Sequence, residues 1–172
     1  TQAPLRDIDI SKIEDSSSAK KRVLVTAPHA CPRYVGRMVS NINSNAQTPE
    51  WMIRCLERSG LTSIHPVVDN LNYVMLELGQ PLHAFDAEKI QGDIQVRWAL
   101  DNEPLTLLNQ NSINLANNTL VIADEQKVLA IAGVMGGLDS SVTSETRHVF
   151  LESVYFSPES IAGRARQYSL AT

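Results

Sequence analysis

Apolar positions recur at two periods along this chain, and the change from one to the other divides it. Between residues 48 and 78 the spacing is helical. Val67, Val68, Leu71, Met75 and Leu78 fall three or four apart and share one stripe. His65-Pro66 offers an N-cap and a first-turn proline, Gly79 suits a left-handed residue just past the helix, and Pro81 blocks resumption. This predicts a helix followed by a loop, anchored by Leu82 and Phe85, from which His83 and Asp86 project. Asn72 lies off the stripe and faces a cleft or solvent. A preceding helix starts at Thr48-Pro49-Glu50, with a capping hydroxyl, a first-turn proline and an acid at the positive end of the dipole. Its predicted buried edge is Trp51, Met52, Cys55 and Leu56, and Ser59-Gly60 ends it. A last helix opens at Ser157-Pro158-Glu159, with Ile161, Ala162 and Ala165 inward and Arg164 and Arg166 outward.

Elsewhere the period is two. Residues 23–27 form a short β-branched strand that Pro28 ends. Residues 33–42 alternate loosely, with Tyr34, Gly36, Met38 and Ser40 on one face and Gly36 marking a bulge or a close backbone approach. From Ile94 onward the alternation is clearer: Ile94, Val96 and Trp98 share a face opposite Gln95 and Arg97. Residues 105–108 and 113–115, joined through Asn109-Gln110-Asn111, read as a hairpin, as do residues 120–123 and 128–134 across a polar turn. Gly136-Gly137 closes the second hairpin, and residues 149–156 add a strand. Grouped strands after grouped helices predict an α+β fold. The expected architecture is a mixed or antiparallel sheet with helices grouped on one side, in two small subdomains packed as one unit. Residues 1–22 carry few apolar anchors and read as a linker or partly ordered arm, which leaves 23–172 as the domain.

Composition narrows the classes. A net charge of −4 over 172 residues argues against a general nucleic-acid coat, though it allows a local contact with one RNA. The Lys20-Lys21-Arg22 run reads either as a solvated stretch or as such a contact. Cys31 and Cys55 have neither disulfide-framework nor metal-ligand spacing, so reduced thiols in the cytoplasm are expected. His29-x-Cys31 lacks a matching pair, and no metal site is expected. No apolar run reaches membrane-spanning length. The start at Thr1 rather than Met suggests a piece of a longer protein.

The run N-Y-V-M-L-E-L-G-Q-P-L-H-A-F-D closely resembles the central B3/B4 module of the bacterial phenylalanyl-tRNA synthetase β subunit. The likeness runs from C-P-R-Y at residues 31–34 to Thr172. It includes L-V-I-A-D at residues 120–124, the glycine pair with its following acid and serine at 136–140, L-E-S at 151–153 and G-R-A-R at 163–166. Family members continue past the position of Thr172 with Asp-Ala-Ser, so the chain stops inside a shared motif. Thr62 stands where many bacterial relatives carry arginine, and Leu71 where they carry threonine. Both positions lie near the family's pocket and bear on how the substrate's backbone end is gripped.

The resemblance implies an editing module that uses a bound water to hydrolyse tyrosine mistakenly attached to the tRNA for phenylalanine. A non-catalytic tRNA-binding or scaffolding module of the same synthetase is the alternative. Glu152 is the expected acceptor for the tyrosine hydroxyl. On its strand it shares a face with Phe150 and Val154, where a charge needs a partner, and an internal salt bridge to Arg147 or Arg164 is the ordinary reading of such a residue. His83 is expected to orient or activate the water, using an imidazole of ordinary pKa near 6.5, with Asn72 holding the water or the ester carbonyl. Backbone N–H groups of Gly136 and Gly137 are expected to line the pocket, and Thr172 to touch the substrate. The implied partners are the aminoacyl end of that tRNA and a catalytic α subunit, in an α2β2 assembly. ATP and Mg²⁺ belong to the parent enzyme, and no cofactor is expected in these residues.

Overall fold

Residues 148–155 bury Val149, Phe150 and Glu152, and they form the middle strand of a three-stranded sheet. In the computed structural model, which describes residues 13–14 and 18–170, strands β2 (Arg33–Ser40), β3 (Leu82–Asp86) and β10 (His148–Tyr155) pair in the order β2-β10-β3, antiparallel throughout. Gly36 shows the close approach, not a bulge, since the register runs unbroken from His148↔Ser40 to Tyr155↔Arg33. A Cβ at Gly36 would lie 2.3 Å from Phe150 Cζ, so only glycine admits that ring.

A second sheet has five strands: β1 (Val23–Val25), β4 (Ile94–Trp98), β7 (Leu120–Ala123), β8 (Val128–Ile131) and β9 (Met135–Gly136), in the order β1-β4-β7-β8-β9. The β1–β4 pair is parallel and the others antiparallel, which makes the sheet mixed. Every residue of β7 and β8 is buried. Their unbroken apolar runs reflect cover on both faces of the sheet. Phe85, Ile122, Leu129, Ala130 and Phe150 pack between the two sheets. On the opposite face, Val121, Val128 and Ile131 meet Leu105, Leu107 and Leu115 around the hairpin of β5 (Glu103–Thr106) and β6 (Ser112–Leu115). These sheets and their helices make the α+β fold expected from the sequence. The predicted arm lies largely outside the described residues. Its end is tethered, because Arg22 pairs with Asp93 at 3.7 Å and Lys21 Nζ donates to the Ile90 carbonyl.

Helices α1 (Glu50–Arg58) and α2 (Pro66–Leu78) pack on each other, and α2 packs beside β3. The α2 start and stop are as predicted: His65 Nδ1 accepts from the Val67 N–H, and Gly79 is left-handed with φ 72°. Several helical expectations are corrected. Thr48 does not cap α1; its hydroxyl donates to Asp69 Oδ2 at 2.5 Å instead. Only Met52 and Leu56 of α1 are buried, while Trp51 and Cys55 are exposed. A nine-residue helix resting mainly on one neighbour covers a narrow stripe, and Trp51 lies edge-on to Tyr73 of α2 at its rim, 5.1 Å between centroids. The last helix is broken at Gly163, φ 75°, into α3 (Pro158–Ile161) and α4 (Arg164–Gln167); Ala162 is exposed, and Ser157 makes no side-chain capping bond.

Asp69 joins the two long helices. Its buried carboxylate accepts from Thr48 Oγ1, Ser63 Oγ at 2.7 Å and the Ile64 N–H at 2.9 Å. Burial pushes this carboxyl up, but these donors and the His65 N–H outweigh it and hold the pKa below the ordinary value. Asp69→Ala should therefore lower unfolding free energy by roughly 2–4 kcal/mol, because several donors lose their acceptor together. Urea unfolding checks this, and a loss under about 0.5 kcal/mol would show that the contacts are incidental.

Candidate functional site

The antiparallel register of β3 and β10 sets Glu152 directly opposite His83 and Phe150 directly opposite Phe85. Residues two apart on a strand share a face, so these four side chains form one block directed at the inter-sheet core. At the end of that core a cleft of about 620 Å³ opens. His83, Glu152, Val154 and Phe156 line it from one side, Ile122, Ala130 and Gly136 from the other, and Leu108 closes an edge. His83 thus sits on a strand rather than the predicted loop. The chain re-enters extended pairing as soon as Pro81 has ended the turn.

Glu152 is only 7% exposed. Neither Arg147 nor Arg164 pairs with it. Arg147 donates to the Ser144 and Thr146 carbonyls, and Arg164 donates to Gln167. Its partner is a phenol: Tyr34 Oη donates to Glu152 Oε2 at 2.6 Å. Burial pushes the carboxyl up to about 7, and the bond from Tyr34 works against that rise. The same burial and the adjoining Glu152 charge raise Tyr34, and they lift the buried Cys31 thiol to about 11.

Burial lowers His83 to about 4, so the imidazole is neutral at pH 7 rather than partly protonated. Its ring meets Phe85 edge-on at 4.5 Å between centroids, and its buried Nε2 has no hydrogen-bond partner among the described residues. A Cβ at Gly136 would lie 2.7 Å from His83 Cε1, so glycine lets the β9 backbone run against the imidazole.

His83, Glu152 and Gly136 therefore share one cleft. Asn72 does not line it; it is half-buried on α2. Gly137 is also apart, because its N–H donates to the Leu129 carbonyl at 2.7 Å and it borders a separate hollow with Lys127 and Asp139. Thr172 lies outside the described residues. Thr62 is exposed and Leu71 half-buried on α2, both outside the cleft lining. Among the described residues no group of three or more His, Cys, Asp or Glu could hold a metal ion, and no helix is long and apolar enough to cross a membrane. Tyr34 is the participant that sequence reasoning missed. Its place on one face with Gly36 was legible, but its bond to a strand 118 residues away was not.

The fold is similar to that of an N-terminal fragment of the phenylalanyl-tRNA synthetase beta subunit from Pyrococcus horikoshii. The TM-score is 0.60 at 16% identity, over 87% of this chain and 47% of that one, a likeness of fold alone. Residues 30–172 match the B3/4 domain, and the chain belongs to that family. Among its relatives is a phenylalanine–tRNA ligase beta subunit of Methylococcus capsulatus, 53% identical over 98% of this chain and 21% of that protein. Others are the beta subunits of Francisella tularensis, 51% identical over 100% of the chain and 22% of that protein, and Colwellia psychrerythraea, 55% identical over 86% and 18%. The chain thus spans about a fifth of the length of these relatives.

The two shifted groups oppose each other in pH. His83 protonates near 4 when folded against 6.5 ordinarily, so stability linked to it is whole above pH 6.5 and drains as pH falls toward 4. Glu152 protonates near 7 when folded against 4.5 ordinarily, so the fold gains as pH falls from 7 to 4.5. Glu152→Gln should uncover the first limb, a loss of roughly 2–3 kcal/mol between pH 6.5 and 4.5. His83→Gln should uncover the second, a gain toward acid. Urea midpoints across this range check both, and identical pH profiles in the two variants would contradict the assignment.

Proposed function

We propose that this cleft is the proofreading site of a phenylalanine–tRNA ligase beta subunit, where water hydrolyses the ester of tyrosine attached to the tRNA for phenylalanine. The observation that carries the reading is a buried carboxyl and an unpartnered imidazole nitrogen on directly paired strands, in one largely apolar cleft of about 620 Å³. That volume lies within the usual range for small-molecule sites.

The chemistry follows from a weakness of apolar recognition. A pocket shaped for phenylalanine rejects an isostere that adds a hydroxyl by only about 10². A second site is useful when it selects for that hydroxyl. Glu152 does so by accepting a hydrogen bond from the phenol. With phenylalanine bound, the desolvated acceptor goes unmatched, at a cost of roughly 1–3 kcal/mol, where each 1.4 is tenfold. Tyr34 supplies the precedent within the same molecule, since its phenol already bonds this carboxyl.

In the reaction, the water oxygen attacks the ester carbonyl carbon and the bond to the ribose oxygen breaks. That oxygen leaves with a proton, giving free tyrosine and uncharged tRNA. A neutral His83 is a weak base, and its role is to hold the water through a ring nitrogen while the already activated ester reacts. Asn72 and the Gly137 amide take no step here, because neither reaches the cleft. ATP and Mg²⁺ serve aminoacylation elsewhere in the parent enzyme. On this reading the partners are the charged tRNA end and a catalytic α subunit, and the compartment is the cytoplasm.

The test is deacylation by the full-length ligase carrying this chain, supplied with tyrosyl- and phenylalanyl-tRNA. Tyrosine should be released at least about tenfold faster than phenylalanine. Glu152→Ala should erase the preference, and His83→Ala should lower the maximal rate by roughly 10²-fold. Unchanged tyrosine release in both variants would refute the assignment. An enzyme that binds tRNA in a salt-dependent manner without cleaving the ester would mark the module as a scaffold.

A further inference from the structure

Tyr34 has no place in the reaction just described, yet it is tied more closely to Glu152 than any other described side chain. It lies on β2 opposite Val154, one diagonal step from Glu152, while the position directly opposite Glu152 is Gly36. Because Gly36 has no side chain, the Phe150 ring lies over its backbone, and the Tyr34 ring stacks on Phe150 at 6.4 Å with 22° between planes. The ring is thereby fixed on both its neighbours, and its hydroxyl reaches Glu152 Oε2 at 2.6 Å. Among the described residues this is the one hydrogen bond to the Glu152 carboxyl, which leaves Oε1 without a donor in a residue that lines the cleft.

We propose that Tyr34 is a specificity-determining positioning residue, whose hydroxyl immobilises one oxygen of Glu152 so that the other is presented to the cleft as the acceptor for a ring hydroxyl. The proposal rests on the proofreading reading for the identity of the ligand, but its physical content is separate. A carboxyl with a single fixed donor has one rotameric setting and a preference for ionisation. Without that donor it turns freely and holds its proton to higher pH, which makes it a poorer acceptor. The titratable groups that face it are few. Tyr34 comes from β2, Cys31 from the segment before β2, and His83 from β3, whereas the cleft lining from the five-stranded sheet carries none. His83 and Cys31 are both neutral near pH 7, so the Tyr34 hydroxyl is the group able to move this titration.

The test uses the full-length protein carrying this chain, its Tyr34→Phe variant, which keeps the ring, and the Tyr34→Phe/Glu152→Gln double variant. Binding of L-tyrosinamide and L-phenylalaninamide is measured from pH 6 to 9, with Glu152 protonation followed by infrared difference spectra against Glu152→Gln. Loss of the hydroxyl should cut the tyrosine-over-phenylalanine preference about tenfold, leave phenylalaninamide affinity unchanged, and move the carboxyl midpoint up by about one pH unit. The double variant should lose no more than Glu152→Gln alone, because the two groups act as one unit. Equal weakening of both amides with an unmoved midpoint would reduce Tyr34 to a packing residue and overturn the proposal. If the wild-type protein prefers tyrosinamide and Tyr34→Phe moves the midpoint, but tyrosyl-tRNA is never cleaved, the proofreading reading falls and Tyr34 keeps its role.

Discussion

A carboxyl group in the middle strand of a sheet, facing the core, is the constraint that the rest of this site satisfies. Burying an ionised carboxylate without a partner is costly enough that such groups usually pair or take up a proton. Glu152 does some of both. It holds one short bond from Tyr34, and burial still lifts it to about 7. The neighbouring features follow from this accommodation. Gly36 clears the space in which Phe150 and Tyr34 stack, and Tyr34 then meets the carboxyl. His83, directly across the strand pair, is kept neutral by the same burial, so no second charge shares the cleft at pH 7. Gly136 brings a backbone against that imidazole from the other sheet.

On the proofreading reading, this arrangement gives up stability for selectivity. A leucine at 152 would suit the inter-sheet core, where Phe85, Phe150 and Ile122 are almost wholly buried. A half-titrated carboxyl costs the fold free energy near neutral pH, and a lone imidazole nitrogen costs more. Groups held in this condition are what a ligand with a complementary hydroxyl or a bound water can relieve. The helical pair contributes differently. Asp69 ties α1 to α2 through donors from Thr48, Ser63 and Ile64, beside the cleft rather than in it.

Much of the fold could be read from local chemistry. The α2 boundaries were legible because His65, Pro66 and Gly79 act within one turn of themselves, and the apolar runs of β7 and β8 on either side of a polar turn announced a hairpin. Failures came where tertiary contacts override local signals. Thr48 is a competent cap, but it was drawn to Asp69. Trp51 and Cys55 fit a helical stripe that the protein leaves uncovered. His83 follows a helix stop and a proline, which read as loop until strand pairing across 69 positions is known. Within the site, the residue types at His83 and Glu152 were visible, but not their placement, which the register of β3 and β10 makes side by side on one wall of the cleft. Gly136 and Gly137 are indistinguishable in sequence. The pleat sends one to the cleft and bonds the other to Leu129. The Tyr34 bond crosses 118 residues and had no local signature at all.

The most direct measurement is a crystal structure of the protein with a non-hydrolysable tyrosyl analogue, its ester replaced by an amide to adenosine. The phenol oxygen should lie about 2.6–2.9 Å from Glu152 Oε1 with Tyr34 still bonded to Oε2, and the carbonyl should sit on the His83 side. A tyrosyl ring bound outside the cleft, or one whose hydroxyl points to solvent with Glu152 untouched, would contradict the account at its centre.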